Sequence, residues 1–307
     1  MGAGSSLASP SGDYEIPKKL GSRAGVANSL TSPRGKYEII KNLGSGAFGD
    51  VYLANYKANG TSESVQVAVK EIARINDERE KAKREGELLK KISESTTSEH
   101  IVKYIDAFEG ETGKLYISMQ YCSRGDLAGQ IEQKISAQKS FDMKVIYNYI
   151  YQIADGIDEL HTKHNIVHRD LKPDNVLVAY ENGKEVLKIS DFGLAKVINY
   201  QTAMSNYPKW YGTPFYWAPE QDAGNPCRFP VDIWAIGIIF YELCIAPKSM
   251  EDDIDDIRNK INKGQQLVLP QRFPREDVQW LNQMVTKNPD NRMSSGTVYG
   301  TARGKPF

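Results

Sequence analysis

Two short stretches decide how this chain is interpreted: His168-Arg169-Asp170-Leu171-Lys172-Pro173-Asp174-Asn175 and, shortly after it, Asp191-Phe192-Gly193. They place a carboxylate, a lysine, an amide and a second carboxylate at the spacings that phosphoryl transfer from ATP requires. Asp170 would orient a substrate hydroxyl and accept its proton, and Lys172 would hold the migrating phosphate. Asn175 and Asp191 offer the oxygen ligands that Mg²⁺ prefers. The alternative, a polar loop beside a strand end, does not account for so long a patterned run.

A glycine-rich turn lies upstream, in Gly44-Ser45-Gly46-Ala47-Phe48-Gly49-Asp50-Val51. Glycines there let backbone N–H groups approach phosphates closely. The same spacing occurs in dinucleotide-binding folds, which place a helix directly after the glycines and an acidic residue about 20 residues on. Here the β-branched Val51 opens a run typical of a strand. We therefore predict a β-hairpin that covers ATP.

Together these motifs resemble the eukaryotic-type serine/threonine protein kinase family, and the resemblance runs from about Tyr37 to Arg292. It implies an α+β, bilobal kinase fold at 36–300. The small β-rich lobe with its helix C would span about 36–120, and the larger, mostly α-helical lobe about 121–300. The Gly-, Ser-, Ala- and Pro-rich residues 1–35 predict a disordered arm, and 301–307 a short tail.

A strand and a helix supply the next candidates. The alternation in Val65–Lys70 places Ala68 and Lys70 on one face, and the resemblance puts Ala68 above the adenine and Lys70 against the α- and β-phosphates. On the following helix, Glu85 matches the family glutamate that pairs with this lysine. Glu80 and Glu87 compete for that role, but the apolar pair after Glu85 favours it.

The hinge between the lobes is expected at Leu115–Cys122. By the resemblance, Met119 lies at the back of the adenine pocket, and Gln120 and Cys122 contact adenine through backbone groups. Asp126 either binds the ribose or caps the next helix, and both roles are compatible. The resemblance thus predicts an ATP-binding set of Leu43, Gly44, Ser45, Gly46, Ala47, Phe48, Gly49, Val51, Ala68, Lys70, Met119, Gln120, Cys122, Asp126 and Leu177.

The segment between Asp191 and Glu220 is expected to control substrate choice and regulation. Thr213, together with Lys172, matches the serine/threonine class, and Trp217 predicts an apolar preference beside the acceptor. Glu220 is expected to pair with Arg292.

Regulation by phosphate is a separate expectation. Arg169 and Lys196 suggest a basic pocket for a phosphate, but Lys209 occupies the usual phosphorylation position. Thr202 or Ser205 is then the expected phosphosite, Tyr207 is a further candidate, and a loop that needs no phosphate is the alternative.

Among the kinases, Tyr121–Leu127, the run Gly212–Tyr216 and Asn288–Arg292 look most like the never-in-mitosis-A-related group. That group usually has serine where this chain has Ala218. The required cofactors are ATP and Mg²⁺, and the partner is a protein with a Ser or Thr acceptor. Because the catalytic lysine and both aspartates are present, we favour an active kinase over a kinase-shaped scaffold that only binds partners.

Composition narrows the remaining choices. Thirty-nine basic residues balance 39 acidic ones, so no basic field recruits nucleic acid. Three widely spaced cysteines, the lack of a long apolar run and the lack of a secretory signal predict a cytoplasmic protein, with membrane-tethered or nuclear locations as alternatives. We expect His161 and His164 to be solvated, and the end of the domain after Arg292 to be irregular.

The N-terminus carries a second signal. Met1–Ser6 fits the N-myristoylation pattern, with Gly2 as the acylated residue, and a flexible tail is the alternative. One acyl chain holds a membrane only weakly, so the net charge of +3 on residues 1–36 would have to contribute to any membrane association.

Overall fold

The computed structural model describes residues 29–46, 49–72, 76–111, 113–193, 195–197, 214–250 and 254–307. These residues form two lobes, a β-rich small lobe and a mostly helical large lobe. The α+β, bilobal architecture predicted from the sequence is confirmed.

The small lobe is one antiparallel sheet with the strand order β1-β2-β3-β4-β6-β5. A long hairpin, β2 and β3, continues through the glycine-rich turn, where Gly46 pairs with Gly49. At Gly49, φ is +126° and an added Cβ would lie 1.8 Å from the carbonyl oxygen of Glu71, so only glycine fits. The six strands are β1 (Ser29–Ser32), β2 (Gly35–Gly46), β3 (Gly49–Ala58), β4 (Val65–Ile72), β5 (Tyr104–Glu109) and β6 (Leu115–Gln120).

The folded chain begins earlier than the sequence indicated, because Ser29–Ser32 pairs with β2 instead of belonging to a disordered arm. Leu30 is buried against a stack of aromatic rings that includes Tyr37 and Phe108. The turn after β1 also reaches the opposite edge strand, where the Arg34 Nε atom lies 3.7 Å from a carboxylate oxygen of Asp106. Composition alone missed this strand because its single apolar anchor lies among serine and threonine residues.

Helix α1 (Asn76–Ser95) packs on β4, β5 and β6. Gly86 lies in its interior, where glycine is destabilising by about 1 kcal/mol relative to alanine. A Cβ at this position would lie 3.4 Å from the Cβ of Ala107. Glycine therefore allows the helix to approach the sheet closely at the residue next to Glu85.

The large lobe is built around α3 and α5. Helix α5 is buried on nearly all sides, as its almost continuous apolar sequence predicts. No helix in the described ranges is both long and apolar enough to cross a membrane. The remaining elements are α2 (Leu127–Ser136), α3 (Met143–Thr162), β7 (Ile166–Val167), β8 (Val176–Glu181), β9 (Lys184–Ile189), β10 (Lys196–Val197), α4 (Pro219–Asp222), α5 (Pro230–Ile245), α6 (Ile254–Asn262), α7 (Arg275–Met284) and α8 (Ser295–Arg303).

Residues Ser295–Arg303 form helix α8, so the expected irregular end after Arg292 is wrong, and α8 extends into the expected tail at 301–307. Ser294 caps α8 by accepting a hydrogen bond from the backbone N–H of Thr297. The helix packs on α3 through Val298 and Ala302, both fully buried. Tyr299 of α8 also stacks on Tyr151 of α3. Because α8 buries just two apolar residues, its sequence carries a weak helical spacing.

Candidate active site

A cleft of about 340 Å³ lies between the lobes. Most of the predicted ATP-binding residues line it, namely Leu43, Gly44, Val51, Ala68, Lys70, Met119, Gln120, Cys122, Asp126 and Leu177. Ser45 and Gly49 belong to the adjacent hairpin and do not line the cleft, and Gly46 pairs with Gly49 in the same hairpin, while Ala47 and Phe48 lie outside the described residues. Tyr121, Gly125, Asp174 and Ser190 also line it, although the sequence analysis had not selected them.

The Lys70 side chain is held by two carboxylates. Its Nζ donates to both carboxylate oxygens of Glu85, at 2.8 and 3.1 Å, and lies 3.5 Å from Oδ1 of Asp191. Burial alone would lower the pKa of Lys70, but Glu85 and Asp191 raise it above its ordinary value. Burial raises the pKa of Glu85 while Lys70 opposes that shift, and the short bidentate contact favours the ion pair. The lysine therefore stays charged beside the cleft, as phosphate binding requires.

The structure also decides between the three candidate glutamates on α1. Glu85 is buried and faces the cleft, whereas Glu80 and Glu87 are exposed. Glu80 pairs with Lys83 on the solvent side of the helix, at 3.1 Å. Because α1 makes one turn in 3.6 residues, Glu80 and Glu87, seven residues apart, share one face of the helix, and Glu85 lies on the other.

Asp232, in the first turn of α5, positions the loop His168–Asn175, named here the candidate catalytic loop. Its carboxylate accepts hydrogen bonds from the backbone N–H groups of His168 and Arg169, both at 2.8 Å. Oδ2 also lies 2.9 Å from Nε2 of His161 on α3. Burial alone would raise the pKa of Asp232, but these neighbours hold it below its ordinary value. A buried carboxylate is stabilised only when its oxygens are satisfied in this way.

The backbone at Arg169 adopts φ of +72°, a left-handed conformation that is costly for a residue with a Cβ. Two contacts hold it there: Asp232 accepts from its N–H, and Nε2 of Gln221 donates to its carbonyl oxygen at 3.1 Å. His168 is tied to the end of β9 through Nε2 and the carbonyl oxygen of Ser190, 2.9 Å apart. Contacts from α5, from α4 and from the end of β9 therefore fix the backbone at His168 and Arg169, directly before Asp170.

Asp170 and Asn175, the candidate proton acceptor and metal ligand of this loop, are in contact. Nδ2 of Asn175 donates to the carbonyl oxygen of Asp170 at 2.7 Å and to its Oδ2 at 3.1 Å. Nζ of Lys172 lies 3.8 Å from the same Oδ2. Burial raises the pKa of Asp170, and Lys172 opposes that rise. A carboxylate with a raised pKa, next to a lysine, suits the acceptance of a hydroxyl proton.

The two predicted magnesium ligands face the same cleft. Nδ2 of Asn175 is turned toward Asp170. The side-chain oxygen of Asn175, Oδ1, is therefore the atom that remains to bind a cation. Burial would raise the pKa of Asp191, but Lys70 and the N–H of Gly193 hold it below its ordinary value, so it is ionised. One amide oxygen and one carboxylate fit Mg²⁺, which keeps several waters and binds substrate phosphates.

Asp126 shows the helix-capping role directly. Its Oδ1 accepts from the backbone N–H of Gly129 at 2.8 Å, which caps α2, and the residue also lines the cleft. Asp126 therefore caps α2, and its position on the cleft is also compatible with binding a ribose.

The residues that follow Asp191-Phe192-Gly193 are described only in part. Glu220 pairs with Arg292 as predicted, with Nη1 and Nη2 donating to its two carboxylate oxygens at 2.5 and 2.7 Å. Trp217 is 7% exposed and packs in the core of the large lobe, so a direct contact with the substrate is not supported. Thr202, Ser205, Thr213 and Lys209, and the side chain of Lys196, lie outside the described residues.

The expectation that two histidines are solvated is wrong. His161 is buried against Asp232, and the ring of His164 is 4% exposed with Nε2 at 3.7 Å from Glu159. His161 lies four residues after Ile157, on the apolar stripe of α3, and that spacing was the available signal. Gln221 had no comparable signal, because its contact with Arg169 spans 52 residues.

A family model described as the protein kinase domain matches residues 37–301. The chain belongs to the protein kinase family. It is similar to human serine/threonine-protein kinase Nek5, with 33% identity over 82% of this chain and 34% of the relative. It is also similar to human Nek2, with 33% identity over 61% of this chain and 42% of the relative, and to mouse Nek3, with 32% identity over 82% and 46%.

These relatives confirm the resemblance to the never-in-mitosis-A-related group and to kinases of the serine/threonine class. The chain spans between about a third and a half of the length of the curated relatives named above.

Proposed function

We propose that this protein is an active serine/threonine kinase that transfers the γ-phosphate of Mg-ATP to a protein hydroxyl. The observation that carries the proposal is the arrangement of Lys70, Glu85 and Asp191 in one cleft. Nζ of Lys70 contacts both carboxylates while remaining beside the space available for a nucleotide. Scaffolds with this fold that lack activity typically lose one of these charged groups, so their joint presence favours catalysis.

The chemistry follows from the contacts. Lys70 would hold the α- and β-phosphates, while Asp191 and Asn175 would hold the metal, which neutralises charge between the β- and γ-phosphates. Asp170 would accept the proton from the substrate hydroxyl, and Lys172 would stabilise charge on the transferred group. Catalysis here depends on positioning, because the transition state has little covalent contact with the protein.

The test is transfer of labelled phosphate from ATP to a degenerate positional peptide library, with purified protein and Mg²⁺. We expect incorporation at Ser or Thr, and the library reports the preferred flanking residues. An Asp191→Asn variant should fold normally and lose the activity, because a carboxylate ligand of the metal becomes an amide. Equal activity of this variant, or phosphorylation confined to tyrosine, would contradict the proposal.

A kinase-shaped scaffold is the alternative, and direct nucleotide binding separates the two. A scaffold that keeps the cleft would bind ATP without consuming it, whereas the proposed enzyme also releases labelled phosphopeptide. A wild-type protein that binds ATP but modifies no library peptide, with or without phosphatase treatment, would favour the scaffold.

We further propose that Thr202 or Ser205 is phosphorylated to activate the enzyme. The support is Arg169, which is held in a fixed backbone conformation next to Asp170, where a phosphate would form charge-assisted hydrogen bonds. Phosphatase treatment should reduce activity, as should Thr202→Ala or Ser205→Ala. Full activity of the dephosphorylated protein would contradict this regulation.

We also propose membrane attachment through an acylated Gly2 and the basic residues that follow it, supported by the Met1–Ser6 pattern. A Gly2→Ala variant should leave the membrane fraction while keeping its activity on soluble peptides. An unmodified N-terminus in the intact mass from native cells would contradict it, and the protein would then be expected in the cytoplasm or nucleus.

A further inference from the structure

The hairpin of β8 and β9 contains a buried lysine that the proposed chemistry does not use. The Lys188 side chain is 1% exposed, and its Nζ lies 3.1 Å from Oε1 of Glu181 and 3.3 Å from Oε2. In the register of the hairpin Lys188 pairs with Leu177, a residue that lines the nucleotide cleft. A buried ammonium group requires a carboxylate partner, so Glu181 is needed to hold Lys188 in place.

Glu181 also contacts the hinge. Nε2 of Gln120 donates to Oε1 of Glu181 at 2.7 Å, across 61 residues of sequence. The backbone N–H of Gln120 donates to the carbonyl oxygen of Lys103, which holds the other side of this hinge residue. One carboxylate oxygen is thus shared between the hinge and the buried lysine under the cleft.

Gln120, Glu181 and Lys188 form a cluster beside the hinge. Burial raises the pKa of the Cys122 thiol, which lines the cleft, while the nearby Lys188 lowers it and Glu181 raises it. Within the described residues, Oε1 of Gln120 is buried without a hydrogen-bond partner. The side chain of Gln120 is therefore held through a single bond, the one to Glu181.

We propose that Glu181 is a positioning residue for nucleotide binding: through Gln120 and Lys188 it holds the hinge backbone at the distance from Leu177 that adenine requires. This inference rests on the proposed function, because it assigns the cleft to a nucleotide. Glu181 does not touch the nucleotide in this arrangement. It links the hinge residue Gln120, on one side of the proposed adenine site, to strand β8, whose Leu177 lines the other side.

The turn between the two strands supports this role. Asn182 and Gly183 both have positive φ, of 51° and 81°, as a tight two-residue hairpin requires. Such a turn fixes the direction of the residue before it, and Glu181 is that residue. The carboxylate is therefore presented to the hinge from a rigid element.

The proposal is tested by moving the carboxylate. Glu181→Gln removes the charge, and the double variant Gln120→Glu/Glu181→Gln restores one carboxylate to the same cluster from the hinge side. Gln120→Ala removes the contact with the hinge while leaving the buried ion pair intact, and serves if Glu181→Gln does not fold. Glu99→Gln is the control, because Glu99 forms an exposed ion pair, at 3.8 Å, with Lys184 of the same hairpin.

The measurements are the Kd of the fluorescent nucleotide mant-ATP, and KM for ATP against kcat. We expect Glu181→Gln and Gln120→Ala to raise Kd and KM about tenfold, the effect of losing one hydrogen bond to a charged group. In Glu181→Gln the value of kcat at saturating ATP should stay unchanged. The double variant should recover the wild-type Kd, and Glu99→Gln should match wild type throughout.

Wild-type affinity in Gln120→Ala, or a double variant as weak as Glu181→Gln, would overturn the proposal. If the wild-type protein binds no mant-ATP, the proposed function fails, and hydrogen exchange at the amides of residues 120–122 still tests the cluster. Faster exchange in Glu181→Gln that is reversed in the double variant supports the positioning role, and unchanged exchange overturns it.

Discussion

His161 and Asp232 are 71 residues apart in sequence, yet Nε2 of the histidine lies 2.9 Å from Oδ2 of the aspartate. The contact joins α3 to α5, the two helices at the centre of the large lobe. The same carboxylate accepts from the N–H groups of His168 and Arg169. The packing of these two helices therefore fixes the position of the loop His168–Asn175. Asp170 is thus positioned by a residue in the lobe core.

Replacing Asp232 with asparagine should reduce the free energy of unfolding by about 3 kcal/mol, because an amide cannot accept from all three donors and leaves buried N–H groups unsatisfied. Urea denaturation measures the change. Asp256→Asn is the control, because that carboxylate forms an exposed pair with Lys260 within one helix, and its loss should change stability by less than about 0.5 kcal/mol. Equal effects of the two substitutions would contradict the anchoring role of Asp232.

The same residue predicts a dependence on pH. The folded-state pKa of Asp232 is lowered from its ordinary value of 3.8. Its contribution is therefore present above that value and is lost as pH falls through the folded pKa. The stability difference between wild type and Asp232→Asn should be constant near neutral pH and shrink in acid. A difference that grows on acidification would show that Asp232 is not the titrating group.

Lys70→Met should lower phosphate transfer at least about 100-fold, because the phosphates lose their fixed positive charge in the cleft. Lys90→Met, on the exposed side of α1, is the matched control and should keep full activity. Turnover with a labelled peptide, scaled to the folded fraction measured by circular dichroism, checks the result. Unchanged turnover per folded molecule would assign Lys70 a structural role only.

Two glycines in helices should respond in opposite ways to alanine. At Gly156 on α3, a Cβ would lie 2.8 Å from the carbonyl oxygen of His100 and 2.7 Å from Ile189, so Gly156→Ala should cost about 2 kcal/mol. At Gly300 on α8, beyond its chain neighbours and the helix's own backbone, no described heavy atom lies within 4 Å of an added Cβ, so Gly300→Ala should stabilise by up to about 1 kcal/mol. Thermal unfolding measures both, and a stabilised Gly156→Ala protein would contradict the close packing.

Arg292→Lys should destabilise the large lobe by about 3 kcal/mol although the charge is kept. The guanidinium donates to both oxygens of Glu220 and to the carbonyl oxygens of Thr286, Lys287 and Pro230, and a lysine cannot reproduce this geometry. Denaturant unfolding gives the value. A lysine variant as stable as wild type would mean that charge alone suffices at this position.

Much of the site was predictable because its chemistry is local in sequence. Asp170, Lys172 and Asn175 belong to one short loop, and Ala68 and Lys70 share a strand face by alternation. The pairing of Glu85 with Lys70 and of Glu220 with Arg292 followed from the family resemblance. The helical end of the domain did not follow, because α8 buries just two apolar residues, Val298 and Ala302, and these give a weak periodic signal.

The sequence by itself determined the class of the protein, the order of its motifs and the residues that would carry the chemistry, because each motif is a short run with its own spacing. The tertiary structure decided which further polar residues hold those motifs in place. His161, Gln221 and Glu181 each act on a partner more than 50 residues away. Such contacts form only when helices and strands pack, so no local pattern records them.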